Sequence, residues 1–320
     1  MKNTTALAAI LLTATTGVAL AEWPERPVTV VVSQGAGASP DIMARLVADQ
    51  LTEAYGSPFI VDNRPGGANV VGSLSVANAD PDGYTIFFAT SAALVTNPYL
   101  MANLPYDPLT DFDPAVLVAM SNIMVTANPD SGIETIEDLL EAERANPGSI
   151  SLGVDSPRNL SGIIARSINH VGEVDLTLVS YNSIPQMVQD TVSGEIPVSI
   201  QSASVATPFI AEGSLHPVAV ASAQRTKAHP DVPTIAETLP GIDLTGWFMF
   251  VAPAGTDPEI LASLNATVNE ILAKPEVEEL ASSLGYELVG DLDVAGSLGH
   301  LEAQFENWAT ITSNLGIQPE

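Results

Sequence analysis

One stretch of the chain decides the fold: residues 28–62, which read VTVVVSQGAGASPDIMARLVADQLTEAYGSPFIVD. The β-branched run at 28–32 has the length of a buried strand. A helix is expected to begin near Asp41, because apolar residues then recur at helical spacing, and to end at Gly56. Residues 59–62 predict a second strand. A strand, a helix and a strand in this order form the unit from which parallel sheets are built.

The alternation of strands and helices continues along the chain. Further strands are predicted at 84–89, 150–154, 176–181, 198–201, 218–222 and 247–251, and helices at 134–145, 160–169, 258–274, 275–284 and 295–315, with a weaker helix that ends at 79. We find no tandem repeat and no low-complexity tract. The predicted fold class is therefore α/β, doubly wound.

Composition limits the possible functions. Of 320 residues, 46% are hydrophobic, 38 are acidic and 10 are basic, for a net charge of −28. This hydrophobic fraction supports a substantial core, and the length suggests two domains or one large one. The negative charge would repel phosphate-rich partners, so no nucleic acid and no anionic membrane is expected to bind. Because the chain has no cysteine, disulfides and cysteine metal sites are excluded.

Residues 1–21 are interpreted as a secretory signal peptide. Lys2 precedes an apolar run at 6–12, and Ala19-Leu20-Ala21 matches a small-x-small cleavage pattern. The alternative is an N-terminal membrane anchor, but the run is too short to span a bilayer. No later apolar stretch reaches the roughly 18 residues of a spanning helix. The mature protein is therefore expected to be soluble and exported, with no direct membrane insertion.

The loop after the first strand is rich in small residues: Ser33-Gln34-Gly35-Ala36-Gly37-Ala38-Ser39. With Asp62 it superficially resembles a dinucleotide fingerprint, but the third glycine is missing and Pro40 stands where close helix packing is needed. Small residues at a helix start instead allow backbone N–H groups to converge on an anion such as a carboxylate. The alternative is an ordinary β–α turn with Asp41 as the helix N-cap.

A second loop, Asp155-Ser156-Pro157-Arg158-Asn159, repeats this arrangement in the other half of the chain. Two such helix starts that face each other predict a cleft between two α/β lobes. Arg158 offers a planar, two-pronged partner for a carboxylate. Equally, it could form a surface salt bridge with Asp155.

Catalytic and metal sites find little support in the sequence. None of the four histidines shows metal-ligand spacing, and no nucleophile elbow, zinc-protease motif or phosphate-binding lysine loop is present. The acidic segments 80–83 and 107–113 lack the ligand pattern of an EF-hand and are predicted to be turns. We therefore expect no metal, no cofactor and no enzymatic activity. A hydrolase on the same fold is the alternative, without a matched nucleophile and base.

Several turn motifs resemble the substrate-binding proteins of tripartite tricarboxylate transporters, the Bug family of periplasmic receptors. They are Trp23-Pro24-Glu25-Arg26-Pro27, Asn63-Arg64-Pro65-Gly66-Gly67, Pro81-Asp82-Gly83-Tyr84-Thr85, Leu104-Pro105-Tyr106-Asp107-Pro108 with Asp111-Phe112, Asn146-Pro147-Gly148, Pro230-Asp231-Val232-Pro233-Thr234-Ile235-Ala236-Glu237 and Ala252-Pro253-Ala254-Gly255-Thr256. Each alone is a turn. In this order, over nearly the whole mature chain, they are specific.

The resemblance implies a two-lobed periplasmic-binding-protein fold, type II-like, that closes on a small di-, tri- or aromatic carboxylate. Delivery would be to a permease of two membrane subunits driven by an ion gradient, without ATP or metal, and the receptor would act as a monomer. We expect two crossovers between the lobes, near 122–125 and 245–247. Domain 1 would then comprise 22–123 and 247–320, and domain 2 would comprise 124–246.

The resemblance also implies the binding residues. In the family, backbone N–H groups and ordered water at the two loops hold the carboxylate. The implied ligand-binding set is Ser33, Gln34, Gly35, Ala36, Gly37, Ala38, Ser39, Asp41, Thr90, Ser91, Ser156, Pro157, Arg158, Asn159, Tyr181, Gln201 and Ser202. This chain departs from the family at Gln34, where relatives usually have an aromatic residue, at 155–159, where Gly-Ser-x-x-His is usual, and at 181–183, where Tyr-Lys-Gly is common. These changes make the predicted pocket more polar.

A function from another class uses the same pocket. The protein could present its ligand to a membrane sensor kinase that controls carboxylate uptake, with a different docking surface. Loss of uptake on deletion would indicate transport, whereas loss of induction with uptake intact would indicate sensing.

Overall fold

The structure, a computed structural model, describes residues 23–320. The predicted signal peptide lies outside the described residues. The strands are β1 (Val28–Val32), β2 (Phe59–Asn63), β3 (Thr85–Thr90), β4 (Phe112–Ser121), β5 (Ile123–Ala127), β6 (Ser151–Val154), β7 (Thr177–Ser180), β8 (Val198–Ser202), β9 (His216–Val220), β10 (Gly246–Pro253) and β11 (Glu287–Leu288).

Helices alternate with these strands. They are α1 (Ser39–Tyr55), α2 (Val70–Ala77), α3 (Asn97–Leu100), α4 (Ile136–Ala145), α5 (Leu160–Gly172), α6 (Ile184–Val192), α7 (Ala203–Ala211), α8 (Ile235–Thr238), α9 (Pro258–Leu272), α10 (Pro275–Ser283) and α11 (Val294–Asn314). A π-helical turn at Ala92–Thr96 precedes α3, and a 3-10 turn at Pro129–Ser131 precedes α4.

The chain forms two sheets, as expected for a two-lobed α/β fold. The first has the order β11-β4-β10-β3-β1-β2 and the second has the order β7-β6-β8-β5-β9. β1 pairs in parallel with β2 and β3, so the predicted strand–helix–strand unit is confirmed. The four valines of β1 are buried because α1 and α9 cover one face of the sheet while α2 and α11 pack on the other. Gly56 ends α1 in a left-handed conformation, as the sequence predicts.

The prediction missed two strands that join the lobes, β4 and β5. β4 opens on Phe112-Asp113-Pro114, and a proline inside a strand pattern argues against a strand. The structure tolerates Pro114 because the β4–β10 pairing is irregular there, with a register shift between Phe250 and Val251. Both sheets are also mixed: β10 runs antiparallel to β3 and β4, and β5 runs antiparallel to β8 and β9.

This topology places the loops of interest at the carboxyl ends of parallel strands. The loop at 33–38 follows β1, and the loop at 155–159 follows β6. The chain passes from the first sheet to the second at Asn122, between β4 and β5. It returns through 243–245, where Leu244 N donates to Ala221 O before β10 begins. Binding clefts of open α/β sheets commonly lie at such strand ends.

Candidate functional site

Hydrogen bonds connect the first loop, residues 33–38, to the start of α2 and to the end of β3. Ser33 Oγ and Gln34 Nε2 both donate to Asn69 Oδ1, at 3.2 and 2.5 Å. Gln34 Nε2 also lies 3.5 Å from Thr90 Oγ1 at the end of β3. Ser33, Gln34 and Thr90 from the predicted set are therefore brought together. No local pattern pointed to Asn69, whose backbone is left-handed (φ 80°) as the N-cap of α2.

Asp41 orders the other half of this loop. Its Oδ2 accepts from Gly37 N at 2.8 Å and from Arg45 Nε at 3.1 Å, and its Oδ1 accepts from Asn63 Nδ2 at 2.9 Å. The alternative in which Asp41 is the N-cap of α1 is wrong, since Ala38 occupies that position. Burial acts to raise the pKa of Asp41, but the hydrogen bonds from Arg45, Gly37 and Asn63 outweigh it, and the pKa lies below its ordinary value.

Asp41→Asn is expected to lower the free energy of unfolding at pH 7 by about 1.5–3 kcal/mol, since it removes charge-assisted hydrogen bonds. The folded-state pKa is depressed, so the stabilisation is fully present above the unfolded-state pKa of about 3.9 and is lost as pH falls through the folded-state pKa. Urea unfolding at pH 7, 5 and 3 checks both points. Glu53→Gln, an exposed change in the same helix, is the control. A wild-type advantage that persists unchanged at pH 3 would contradict the charge-based explanation.

The second loop is also ordered by an aspartate. Asp155 Oδ1 accepts from Ser156 N at 2.9 Å and from the Ser161 hydroxyl, and its Oδ2 accepts from Asn159 Nδ2 at 2.9 Å. Arg158 N donates to Ser156 Oγ at 3.3 Å. Hydrogen bonds made within the loop and to the first turn of α5 therefore hold 155–159 in one conformation.

Arg158 does not make the predicted salt bridge with Asp155. Its Nη1 lies 2.7 Å from Glu320 Oε2, and its Nη2 donates to Leu100 O at 3.0 Å. Glu320 is itself paired with the end of α3 and the residues after it, because Glu320 N donates to Leu100 O and Ala102 N donates to Glu320 O. Arg158 thus links the second loop to a segment that packs beside the first sheet, a contact that only the folded chain reveals.

Arg158→Ala is expected to lower stability by only about 0.2–1 kcal/mol through loss of the Glu320 pair, because both side chains are partly solvent-exposed. A double-mutant cycle with Glu320→Gln, measured by urea unfolding with and without ligand, isolates this coupling. If Arg158 instead bonds the ligand, Arg158→Ala weakens ligand binding by about 1.5–3 kcal/mol while Glu320→Gln leaves it unchanged.

The other predicted residues lie at neighbouring strand ends. Ser91 Oγ accepts from Trp247 N at 3.4 Å, and Ser202 Oγ lies 2.7 Å from Ser204 Oγ. Two others point into the second lobe. Tyr181 donates its hydroxyl to Asp190 Oδ2 at 2.9 Å, and Gln201 Nε2 donates to Thr126 Oγ1 at 2.8 Å.

The electrostatics of the second lobe make Tyr181 a neutral hydrogen-bond donor. Burial, with the hydrogen bond to Asp190 and the charges of Asp190 and Glu195, raises the pKa of Tyr181 to about 12.

Gln34 Oε1 and Gln201 Oε1 are buried acceptors with no partner among residues 23–320. Within the same residues, no group of three His, Asp or Glu side chains could hold a metal ion.

Comparisons with known proteins agree on one family. The sequence model of the tripartite tricarboxylate transporter family receptor matches residues 43–298. A UPF0065 protein of Bordetella bronchiseptica is 34% identical over 90% of this chain and 85% of its own length. Protein BugT of Bordetella pertussis is 28% identical over 92% of this chain and 91% of its own length.

Two solved structures with bound carboxylates have the same fold. R. palustris Rpa4515 with adipate is 30% identical, with a TM-score of 0.76 over 93% of this chain and 100% of its own. MatC from Rhodopseudomonas palustris with bound malate is 25% identical, with a TM-score of 0.71 over 90% of this chain and 99% of its own. Among residues 23–320, no helix combines the length and the hydrophobicity that a membrane-spanning segment requires.

Proposed function

This chain belongs to the tripartite tricarboxylate transporter family of receptors, and we propose that it captures a small organic carboxylate between its two lobes and delivers it to a membrane permease. Members of the family are solute-binding receptors and not enzymes. The observation that carries the proposal is the pair of ordered helix-start loops, 33–38 and 155–159, at the carboxyl ends of β1 and β6. Relatives with this fold hold adipate and malate.

The proposed ligand site comprises the seventeen residues named from the family resemblance, with the first loop on one side and the second loop on the other. Backbone N–H groups near the starts of α1 and α5 would hold the carboxylate, helped by the helix dipoles. The net charge of −28 opposes an anion, so local geometry must supply the attraction. Domain 1 (22–123 with 247–320) and domain 2 (124–246) would close on the ligand by bending at the two crossovers.

The cellular setting is part of the same proposal. Residues 1–21 would direct export to the periplasm, where the mature chain would act as a soluble monomer. The permease partner would consist of two membrane subunits. A deletion strain that loses carboxylate uptake supports this role, whereas one that loses only induction of uptake genes supports presentation to a sensor kinase.

The cognate carboxylate is expected to raise the melting temperature of dialysed protein, because it binds the native state only. At 100 times its Kd it adds about 2.7 kcal/mol to the free energy of unfolding. A thermal-shift panel of di-, tri- and aromatic carboxylates, followed by titration calorimetry, checks this. Malate against succinate, and adipate against a hydroxyadipate, are matched pairs that show whether a ligand hydroxyl adds to the affinity. A higher melting temperature with another class of solute, and no change with any carboxylate, would contradict the proposal.

A further inference from the structure

A buried negative charge lies beside the first loop, which is proposed to hold the carboxylate. Asp41 is 2% exposed, and its carboxylate accepts from Gly37 N at 2.8 Å. At the end of β2, Asn63 Nδ2 donates to Asp41 Oδ1 at 2.9 Å and to Gln34 O at 3.0 Å. The Asp41 carboxylate therefore belongs to the hydrogen-bond network that fixes residues 34–37.

This negative charge works against the binding of an anion by the same loop. A carboxylate held by the N–H groups of the loop would lie within about 10 Å of Asp41, and at that separation two like charges near a protein surface change an affinity by roughly tenfold or more. The net charge of −28 adds to the repulsion. A loop that contains a buried aspartate and binds carboxylates therefore needs a positive charge beside that aspartate.

Arg45, one turn further along α1, supplies this positive charge. Its Nε donates to Asp41 Oδ2 at 3.1 Å, and its Nη2 lies 2.9 Å from Asp41 Oδ1. Both oxygens of the carboxylate are thus paired with one guanidinium, a geometry that lysine cannot reproduce. Nη2 also donates to Asn63 Oδ1 at 2.9 Å. The Arg45 side chain is 48% exposed and that of Asp41 is 3% exposed, so the guanidinium covers the network on its solvent side.

The Asp41 carboxylate is ionised at neutral pH. Burial acts to raise its pKa, but the hydrogen bonds from Arg45, Gly37 and Asn63 outweigh burial and lower the pKa below its ordinary value. The two other arginines close to the loops are paired with different acids: Arg64 with Asp62 at 2.8 Å, and Arg158 with Glu320 at 2.7 Å. Neutralisation of the charge beside the first loop therefore falls to Arg45.

We propose that Arg45 is a positioning residue of the carboxylate site: it neutralises Asp41, so that the first loop keeps the aspartate that orders it and still accepts an anion. This role rests on the proposed function, since it concerns the loop that holds the carboxylate there. Arg45 acts through the charge of Asp41 and does not need to touch the ligand. Removal of the Asp41 charge should therefore make Arg45 dispensable for binding.

The test is a double-mutant cycle on carboxylate affinity. The mature chain is titrated by calorimetry with malate, adipate, citrate and benzoate at pH 8, well above the ordinary carboxyl pKa of about 3.9. Arg45→Gln is expected to weaken the binding of every probe that the wild type binds by at least about tenfold. The double variant Asp41→Asn/Arg45→Gln is expected to bind within about threefold of the wild type, because both charges are then absent.

Two control variants separate the local charge from other effects. Arg45→Lys keeps the positive charge and should retain affinity within about fivefold of the wild type. Arg26→Gln lowers the net charge as much as Arg45→Gln does, but Arg26 pairs with the exposed Asp82 at 2.8 Å and lies before β1, at the opposite end of this strand from the loop. It should change the affinity by less than about twofold.

Urea unfolding shows whether each variant is folded under the conditions of the titration. If Arg45→Gln is not, the double variant alone decides: affinity close to that of the wild type supports the proposal, and a loss of more than about tenfold contradicts it. This comparison is informative because a purely structural role of Arg45 would make the double variant bind no better than Arg45→Gln.

Three outcomes would overturn the role of Arg45: wild-type affinity in Arg45→Gln, no recovery in the double variant, or an equal loss in Arg26→Gln, which would assign the effect to net charge. All three leave the proposed function intact, because the wild type still binds a carboxylate. If the wild type binds none of the four probes, the proposed function fails and the role of Arg45 fails with it.

Discussion

Gly162→Ala is expected to weaken carboxylate binding roughly tenfold to 150-fold, the loss of at least one charge-assisted hydrogen bond of about 1.5–3 kcal/mol. Gly162 lies in the first turn of α5, directly beneath the second loop. A Cβ at this position would lie 2.5 Å from Pro157 Cα and 2.6 Å from Pro157 C, and closer still to Ser156 O. These are backbone atoms that no rotamer change can move. The loop must therefore shift by about 1 Å, which is far for groups that position a ligand.

The same substitution is expected to change stability less than binding. Overpacking costs about 1–3 kcal/mol, and the better helix propensity of alanine offsets up to about 1 kcal/mol of it. Gly299→Ala in α11 is the matched control, since a Cβ there meets nothing within 4 Å; it should stabilise the protein slightly and leave binding unchanged. Titration calorimetry and urea unfolding measure the two effects. Wild-type affinity in Gly162→Ala would show that the second loop does not contact the ligand.

Trp247→Ala is expected to lower the free energy of unfolding by about 3–5 kcal/mol, the largest stability effect that we predict. Trp247 is 1% exposed and is among the largest fully buried side chains. It lies at the start of β10, directly after the returning crossover, and packs on His300 of α11. Removal of the indole would leave a cavity between the sheet and α11 that neighbouring side chains can fill only partly.

Urea unfolding followed by circular dichroism measures this loss, because the signal reports on secondary structure and does not depend on the tryptophan that the substitution removes. Trp247→Phe is the control. It retains most of the apolar volume and removes an indole N–H that has no partner among the described residues. The free energy of unfolding should therefore fall much less in Trp247→Phe than in Trp247→Ala. A loss below about 1 kcal/mol in Trp247→Ala would mean that α11 and the crossover repack freely.

Much of the first lobe could be predicted because local patterns and tertiary packing agree there. The valines of β1 form a β-branched run and are buried on both faces, and α1 has both a helical period and a glycine stop. β4 could not be predicted in this way. Its Pro114 contradicts the strand pattern, and its place in the sheet, between β10 and the two-residue strand β11, depends on β10, which lies more than a hundred residues later in the sequence.

The candidate site, like the fold, could be predicted only in part from the sequence. The two small-residue loops are visible in the sequence, because a strand, a short run of Gly, Ala and Ser and then a helix is a local pattern. The residues that hold these loops lie far away in the sequence, and no local pattern points to them. Asn69 reaches Ser33 and Gln34 across 36 and 35 residues, and Arg158 turns to Glu320.

Local chemistry alone therefore determined the α/β class and the positions of the two small-residue loops, since strand and helix periods and small residues act over a few positions. The turn motifs added the family. The tertiary structure decided strand direction, the partner of Arg158 and the close contact of Gly162 with the second loop. Each of these depends on which surfaces meet when distant segments pack, and a charge or a small side chain has no fixed partner until the fold supplies one.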